Sequence, residues 1–236
     1  MNPLVVVTGG TKGIGKALIE RFLAGSFDVI TCARNENDLF ALKNDMKTKF
    51  PGTDVYFQKA DLSLKNELNS FIDYIKSNGR SVDVLINNTG VFIPGQVHNE
   101  EEGTLEKTIE TNLYSAYHLT RGVIDKMMTE KKGHIFTICS TASITAYPNG
   151  GSYCISKFAL YGMTKVLREE MKPHGVKVTA VLPGATLTDS WKGTELPEER
   201  FIDPNDVSEA IWSAYSLSSR AVLEEILIRP QLGDLD

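Results

Sequence analysis

The stretch Leu4-Val5-Val6-Val7-Thr8-Gly9-Gly10-Thr11-Lys12-Gly13-Ile14-Gly15 decides how this chain folds. Four consecutive apolar residues mark a strand covered on both faces. The glycines that follow allow a tight turn and close approach of the backbone to a ligand, and a helical pattern opens at Gly13. A strand, a Gly-rich turn and a helix N-terminus in that order form an anion-binding site, because the free N–H groups of the first helical turn point at the ligand. The spacing is Gly-x-x-x-Gly-x-Gly, which differs from the commoner Gly-x-Gly-x-x-Gly. A Gly-rich turn without a ligand is the alternative. The strand before and the helix after favour a dinucleotide pyrophosphate held by Gly9, Thr11, Lys12, Gly13, Ile14 and Gly15.

The same rhythm repeats along the chain. Candidate strands are Leu4–Thr8, Asp28–Ala33, Asp54–Lys59, Val82–Asn87, His134–Cys139, Val176–Leu182 and Glu225–Arg229. Helical patterns lie between them near 13–25, 36–49, 64–78, 103–130, 153–172 and 206–217. Alternating strands and helices imply right-handed βαβ units and a parallel sheet. The expectation is an α/β fold: one doubly wound (Rossmann) domain over 1–236, with a parallel seven-stranded sheet and helices on both faces. The main irregular stretch, 188–204, carries Gly193, Pro197 and Pro204. It follows the carboxyl end of a strand, where open α/β sheets bind their ligands, and is expected to cover a substrate.

Composition narrows the function classes. The chain has 236 residues, 42% of them hydrophobic and 23% charged, and a net charge of −5. A nucleic-acid or anionic-membrane partner calls for a basic surface, which this balance opposes. No apolar run reaches the roughly 20 residues of a membrane span. The first apolar run gives way at once to Thr8-Gly9-Gly10, which is no signal-peptide pattern. Cys32, Cys139 and Cys154 cannot all pair and read as reduced packing residues of a cytoplasmic protein. His98, His118, His134 and His174 show no metal-ligand spacing, so no metal is expected. Gly151-Ser152-Tyr153 lacks the second glycine of a nucleophile elbow.

The second strand ends Thr31-Cys32-Ala33-Arg34, without the carboxylate that holds a ribose 2′-hydroxyl in NAD-specific folds. Arg34 offers bidentate donors to a 2′-phosphate, and Lys12 adds a second positive charge. NADPH is therefore expected over NADH; two solvated surface charges are the alternative. Tyr153 and Lys157 stand four apart on a predicted helix and share a face. A free tyrosine has a pKa of about 10, and a neighbouring ammonium together with the positive charge of an oxidised nicotinamide is expected to lower it toward the range useful for proton transfer. Tyr161 and Lys165 repeat the spacing two turns on. Ser140 closes the fifth strand thirteen residues before Tyr153, whereas Pro148 stands thirteen before Tyr161, so Tyr161 reads as a packing or subunit-contact residue.

Taken together, these features resemble the short-chain dehydrogenase/reductase family over essentially the whole chain. The resemblance rests on Thr8–Gly15, Asp61-Leu62, Asn87-Asn88-Thr89-Gly90, Asn112, Ser140, Tyr153, Lys157, and Pro183-Gly184 with Thr188. It implies that Asp61 and Leu62 contact the adenine, and Asn88 and Gly90 the adenosine ribose region. It further implies that Ser140 orients a substrate carbonyl, Tyr153 protonates it, and Lys157 holds the nicotinamide ribose. Asn112 would support Lys157 through a water, and Pro183, Gly184 and Thr188 would hold the carboxamide. Thr89 departs from the alanine usual in the family, with little effect expected on cofactor binding. The tail Glu224–Pro230 with Gly233-Asp234, the Tyr153 region and Trp191 are similar to bacterial sepiapterin-reductase-like members. That makes a pterin side-chain ketone a candidate substrate, with Asp234 available to a guanidine-like group; a solvated acidic tail is the alternative.

The expected activity is NADPH-dependent reduction of a small to medium, partly apolar or aromatic ketone or aldehyde. Phe92, Ile93, Tyr147, Trp191, Leu196 and Phe201 would line the substrate site. A non-catalytic NADP(H)-binding sensor or scaffold is the alternative, although such proteins lose the tyrosine or lysine. The resemblance also implies a homodimer or homotetramer assembled through the helices near 103–130 and 153–172.

Overall fold

In the computed structural model, which describes residues 1–191 and 193–235, β1 (Leu4–Thr8) is buried along its whole length. It is flanked by β2 (Asp28–Ala33) and β4 (Val84–Asn87). β3 (Val55–Lys59) lies outside β2, and β5 (His134–Ile138), β6 (Lys177–Pro183) and β7 (Glu225–Ile228) follow β4. The order is β3-β2-β1-β4-β5-β6-β7, and every pairing is parallel. The winding reverses between β1 and β4, and the register brings Thr8, Asn87 and Ile138 to one edge. Ligands of such sheets bind in the crevice at that switch point.

Each face of the sheet has its own core, which is why the strands are apolar at nearly every position. On one face Val6, Ile30, Leu85 and Ile135 pack with Phe71 of α3 (Lys65–Ser77) and Leu119 of α5 (Ser115–Glu130). On the other, Val5, Val7, Ile86 and Phe136 pack with Phe22 of α1 (Gly13–Ala24), Met46 of α2 (Glu36–Lys49) and Ile211 of α7 (Pro204–Tyr215). Each such side chain contributes about 1.5–3 kcal/mol by leaving water. Among the described residues no helix is long and apolar enough to cross a membrane.

Most element ends shift by one or two residues from the sequence expectation, and three differences bear on how the chain is held. The segment expected as one helix over 103–130 is α4 (Thr104–Ile109), a π turn (Glu110–Tyr114) and α5. The π turn holds Asn112, whose amide makes a reciprocal pair with the backbone of Val91. α6 starts at Gly151 and runs to Met171, two residues earlier than expected, so Tyr153 lies in its first turn. α7 starts at Pro204, because Asp203 caps it by accepting from Asn205 N at 2.8 Å and proline suits the first helical position.

The irregular segment after β6 has an ordered base. Thr186 bridges Ile202, with Leu187 N donating to Ile202 O and Ile202 N to Ala185 O, both at 2.9 Å. Short 3₁₀ turns follow at Asp189–Trp191 and Glu198–Arg200. Lys192, within this segment, lies outside the described residues.

Candidate active site

Ser140 follows β5 directly and is fixed by its own turn. Its Oγ accepts from Ala142 N at 3.1 Å, and its N–H donates to Ser143 Oγ at 3.1 Å. The Tyr153 hydroxyl faces this Ser140 side chain. Burial raises the Tyr153 pKa above the ordinary tyrosine value, and the neighbouring Ser140 hydroxyl pulls the other way. One turn further on, Lys157 is 4% exposed, and burial lowers its pKa to about 8. Its Nζ donates to Ile138 O at 2.8 Å and lies 5.8 Å from the Tyr153 ring centroid. The lowering expected from the sequence combines the ammonium with a nicotinamide's charge; in the protein itself burial acts in the opposite direction, and the ammonium is turned toward a strand carbonyl.

Asn112 ties three elements together. Its Oδ1 accepts from Val91 N at 2.7 Å, and its Nδ2 donates to Val91 O at 3.0 Å and Ser156 Oγ at 2.9 Å. Ser156 Oγ in turn donates to Tyr153 O at 2.7 Å. A Cβ placed on Gly90 would stand 3.4 Å from Asn112 Oδ1 and 3.5 Å from Lys157 Nζ, so the two side chains border one space beside Gly90.

The β1–α1 turn has the shape a pyrophosphate needs. Gly9 and Gly13 have φ of +67° and +51°, which glycine adopts without strain. A Cβ on Gly15 would drive into Gly9 O and stand 2.7 Å from Asn88 Nδ2. Asn88 Nδ2 donates to Thr8 O at 2.8 Å and Gly9 O at 3.3 Å, and Thr8 Oγ1 accepts from Asn88 N and Thr89 N, both at 2.9 Å. The Asn88 amide group thus braces the loop. Thr188 packs on Gly13, where a Cβ would meet its Cγ2 at 2.9 Å, so the segment after β6 abuts the Gly-rich turn. Thr11 and Lys12 line a cavity of about 270 Å³ with Lys16, Asp38, Leu42 and Asp45. Lys12 Nζ lies 3.7 Å from Asp38 and 3.5 Å from Asp189. Arg34, just beyond β2, has no ion-pair partner among the described residues.

The remaining candidates are spread along the same edge. Asp61 Oδ1 accepts from Ser63 N at 3.0 Å and Ser63 Oγ at 2.7 Å, a local turn, while Leu62 is buried in the core. Pro183 ends β6, and Gly184 N donates to Ile228 O at 2.8 Å. A Cβ on Gly184 would lie 3.2 Å from Asp234 Oδ1, so the tail folds back over this turn, and Asp234 is ion-paired with Arg229. Tyr161 packs against the cluster of Ala116, Leu160 and Leu182, with Glu225 nearby.

The short chain dehydrogenase family model matches residues 3–199. The chain belongs to the short-chain dehydrogenase family. It is 30% identical to a sepiapterin reductase of Chlorobaculum tepidum, over 100% of this chain and 99% of that one. A metagenomic short-chain oxidoreductase solved in complex with NADP superposes with a TM-score of 0.84 at 27% identity, covering 97% of each chain. An alcohol dehydrogenase from Thermococcus sibiricus, at 22% identity and 99% coverage of each chain, has the same fold with a TM-score of 0.90.

Two features of this short-chain dehydrogenase escape the motif reading. Gly10 is as constrained as its neighbours, since a Cβ there would overlap Ile19 and Thr31. Glu100 reaches the start of α6, accepting from Ser152 N at 2.8 Å and from Ser152 Oγ. The signal for such a partner is that Gly150-Gly151 opens a long helix with no capping side chain of its own.

Proposed function

We propose that this chain is an NADPH-dependent carbonyl reductase acting on a small to medium ketone or aldehyde. The observation that carries this reading is the Tyr153 hydroxyl beside Ser140, with Lys157 buried one turn away, at the switch-point edge of the sheet. The glycine cradle fits a dinucleotide pyrophosphate, because side chains at Gly13 and Gly15 would fill it. In this reading Gly9, Thr11, Lys12, Gly13, Ile14 and Gly15 hold the pyrophosphate, and Lys12 and Arg34 take the 2′-phosphate. Asp61 and Leu62 flank the adenine, Asn88 and Gly90 the adenosine ribose, and Pro183, Gly184 and Thr188 the carboxamide. The NADP complex of the metagenomic relative supports the choice of cofactor. When bound, NADPH supplies the hydride.

The chain's own residues handle the proton. Burial keeps the Tyr153 phenol protonated at neutral pH, so it is a competent acid toward a carbonyl oxygen. Ser140 orients that oxygen through its hydroxyl. Lys157, with a pKa near neutrality, holds positive charge beside the phenolate left behind and gains or loses a proton easily there. Asn112 fixes Val91 and Ser156 around it.

In this reading the exposed Phe92, Tyr147 and Leu196 and the Trp191–Phe201 pair, 5.0 Å apart, line the substrate site. They favour a partly apolar or aromatic substrate. A pterin-like ketone is the most specific candidate, supported by the Chlorobaculum relative and by the Asp234 carboxylate beside Gly184. A guanidine-like edge would take the place of Arg229 on that carboxylate. The test is NADPH consumption with diketones, quinones and pterin side-chain ketones, by the wild type and Tyr153→Phe. The variant should lose about 10²–10⁴-fold in kcat, the usual contribution of a general acid. Near-normal turnover by the variant, or NADPH binding without turnover by the wild type, would overturn the reading.

A further inference from the structure

The helix that carries Tyr153 begins without a cap of its own. α6 runs 21 residues from Gly151, its preceding residue is Gly150, no side chain there accepts from the helix, and no acidic residue lies in its first turn. The first N–H groups of any helix lack intrahelical partners, and an uncapped end frays. Tyr153 is the third residue of this turn, so whatever holds the turn still also holds the phenol.

The missing acceptor comes from 52 positions earlier in the chain. Glu100 Oε1 accepts from Ser152 N at 2.8 Å, and Oε2 accepts from Ser152 Oγ. This is the bond an N-cap side chain normally makes to the second helical N–H, delivered here by a carboxylate that also matches the positive end of the helix dipole. The socket is built around this side chain. A Cβ on Gly95 would stand 2.6 Å from Glu100 Cγ, and one on Gly151 would overlap Oε1 and lie 2.8 Å from Cδ. Two glycines thus leave the space that one glutamate fills. Ser152 itself is 1% exposed.

Glu100 also ends the segment that forms one wall of the site. That segment is held at Val91 by Asn112, and Gly95 N donates to Asn149 O at 3.0 Å. Between these points Phe92 meets the Tyr153 ring edge-on, with centroids 5.0 Å apart. The Glu100–Ser152 contact therefore joins the wall to the turn bearing the phenol.

We infer that Glu100 is a positioning residue: capping α6 from outside, it fixes Tyr153 against Ser140 and holds the Phe92 wall beside it. The inference rests on the reading of Tyr153 as the proton donor. A misplacement of about 1 Å at such a group costs on the order of 10²-fold in rate. Glu100→Gln keeps an acceptor oxygen at the same reach, whereas Glu100→Asp keeps the charge but falls one methylene short.

The experiment measures kcat, KM for the carbonyl compound, KM for NADPH and the pH profile of kcat for both variants, with Tyr153→Phe alongside. Glu100→Asp should lower kcat by about 10- to 100-fold and raise the carbonyl KM. Its NADPH KM should stay within about twofold, since the Gly-rich turn is not touched. Glu100→Gln should retain kcat within about threefold. Amide exchange of Ser152 and Tyr153 should quicken in the Asp variant and stay slow in the Gln variant. Equal kcat and pH profiles for Glu100→Asp and wild type, with or without a lower melting temperature, would overturn the inference, as would a Gln variant as slow as Asp. An active Tyr153→Phe would instead defeat the proton-donor reading, whatever the Glu100 variants do.

Discussion

Lys157 is nearly excluded from solvent, and that burial draws its pKa from 10.5 to about 8. Its ammonium is present below that value and lost above it. If the charge holds the cofactor ribose and steadies the phenolate, kcat/KM for NADPH should be level through neutrality. It should then fall about tenfold per pH unit above pH 8, where the uncombined enzyme loses the proton. Steady-state kinetics across the alkaline range check this; a profile flat through the ordinary lysine range would exclude a role for the charge. Tyr153, Lys157 and Ser140 stood out in the sequence by their spacing on the strand end and helix, whereas Asn112 came only from the resemblance to the family. The upward pull of burial on the tyrosine was not legible, because it depends on how deeply the phenol is enclosed. Glu100 was equally hidden, since a cap supplied from 52 residues away leaves no local pattern.

At the scale of elements, the strand–turn–helix unit at the start of the chain is the part read most fully in advance. Its glycines are demanded by positive φ and by close approach, both of which spacing reveals. The partners of its charged members were not legible: Lys12 stands between Asp38 and Asp189, which are remote from it in sequence. Arg34, with no ion-pair partner among the described residues, is the residue we propose for the 2′-phosphate. Arg34→Ala should lower kcat/KM for NADPH by about 10- to 100-fold, as expected for loss of a charge-assisted bond, and leave NADH nearly unchanged. The ratio of the two efficiencies is the measurement; an unaltered ratio would remove Arg34 from cofactor choice. The parallel sheet followed from the alternation of strands and helices, whereas the break in the helix over 103–130 did not. Asn112 looks like any helix-interior asparagine until Val91 is placed beside it.

For the whole molecule, two properties follow from what is buried and what is not. His134 is 2% exposed, and burial lowers its pKa to about 3. Thr179 Oγ1 donates to Leu223 O at 2.6 Å, so it accepts from His134 Nε2–H at 2.8 Å, leaving Nδ1 unprotonated and without a hydrogen-bond partner among the described residues. Between pH 6.5 and 3 the unfolded chain binds a proton at this position that the native chain does not. Stability should therefore fall with pH there, by about 1.4 kcal/mol per unit. Urea midpoints against pH should show a shallower acid slope for His134→Gln; equal slopes would refute the assignment. The second property is assembly. Tyr114, Tyr117, Ile155, Phe158 and Val166 are exposed on the π turn, α5 and α6. We propose that these helices join subunits, so light scattering should return a dimer or tetramer, and Phe158→Glu a smaller species. A wild-type monomer at micromolar concentration would remove the proposal.

The π turn has a consequence for which sequence changes the chain can absorb. One additional residue in a helical ladder rotates everything downstream by about 100° relative to an unbroken α-helix. Ala116, Leu119, Val123 and Met127 face the sheet only because that rotation is made. Removing a single residue between 110 and 114 would straighten the rod. Either Asn112 would then swing off Val91, or the greasy stripe of α5 would turn toward water. The length of this turn is therefore as fixed as the identity of Asn112 within it.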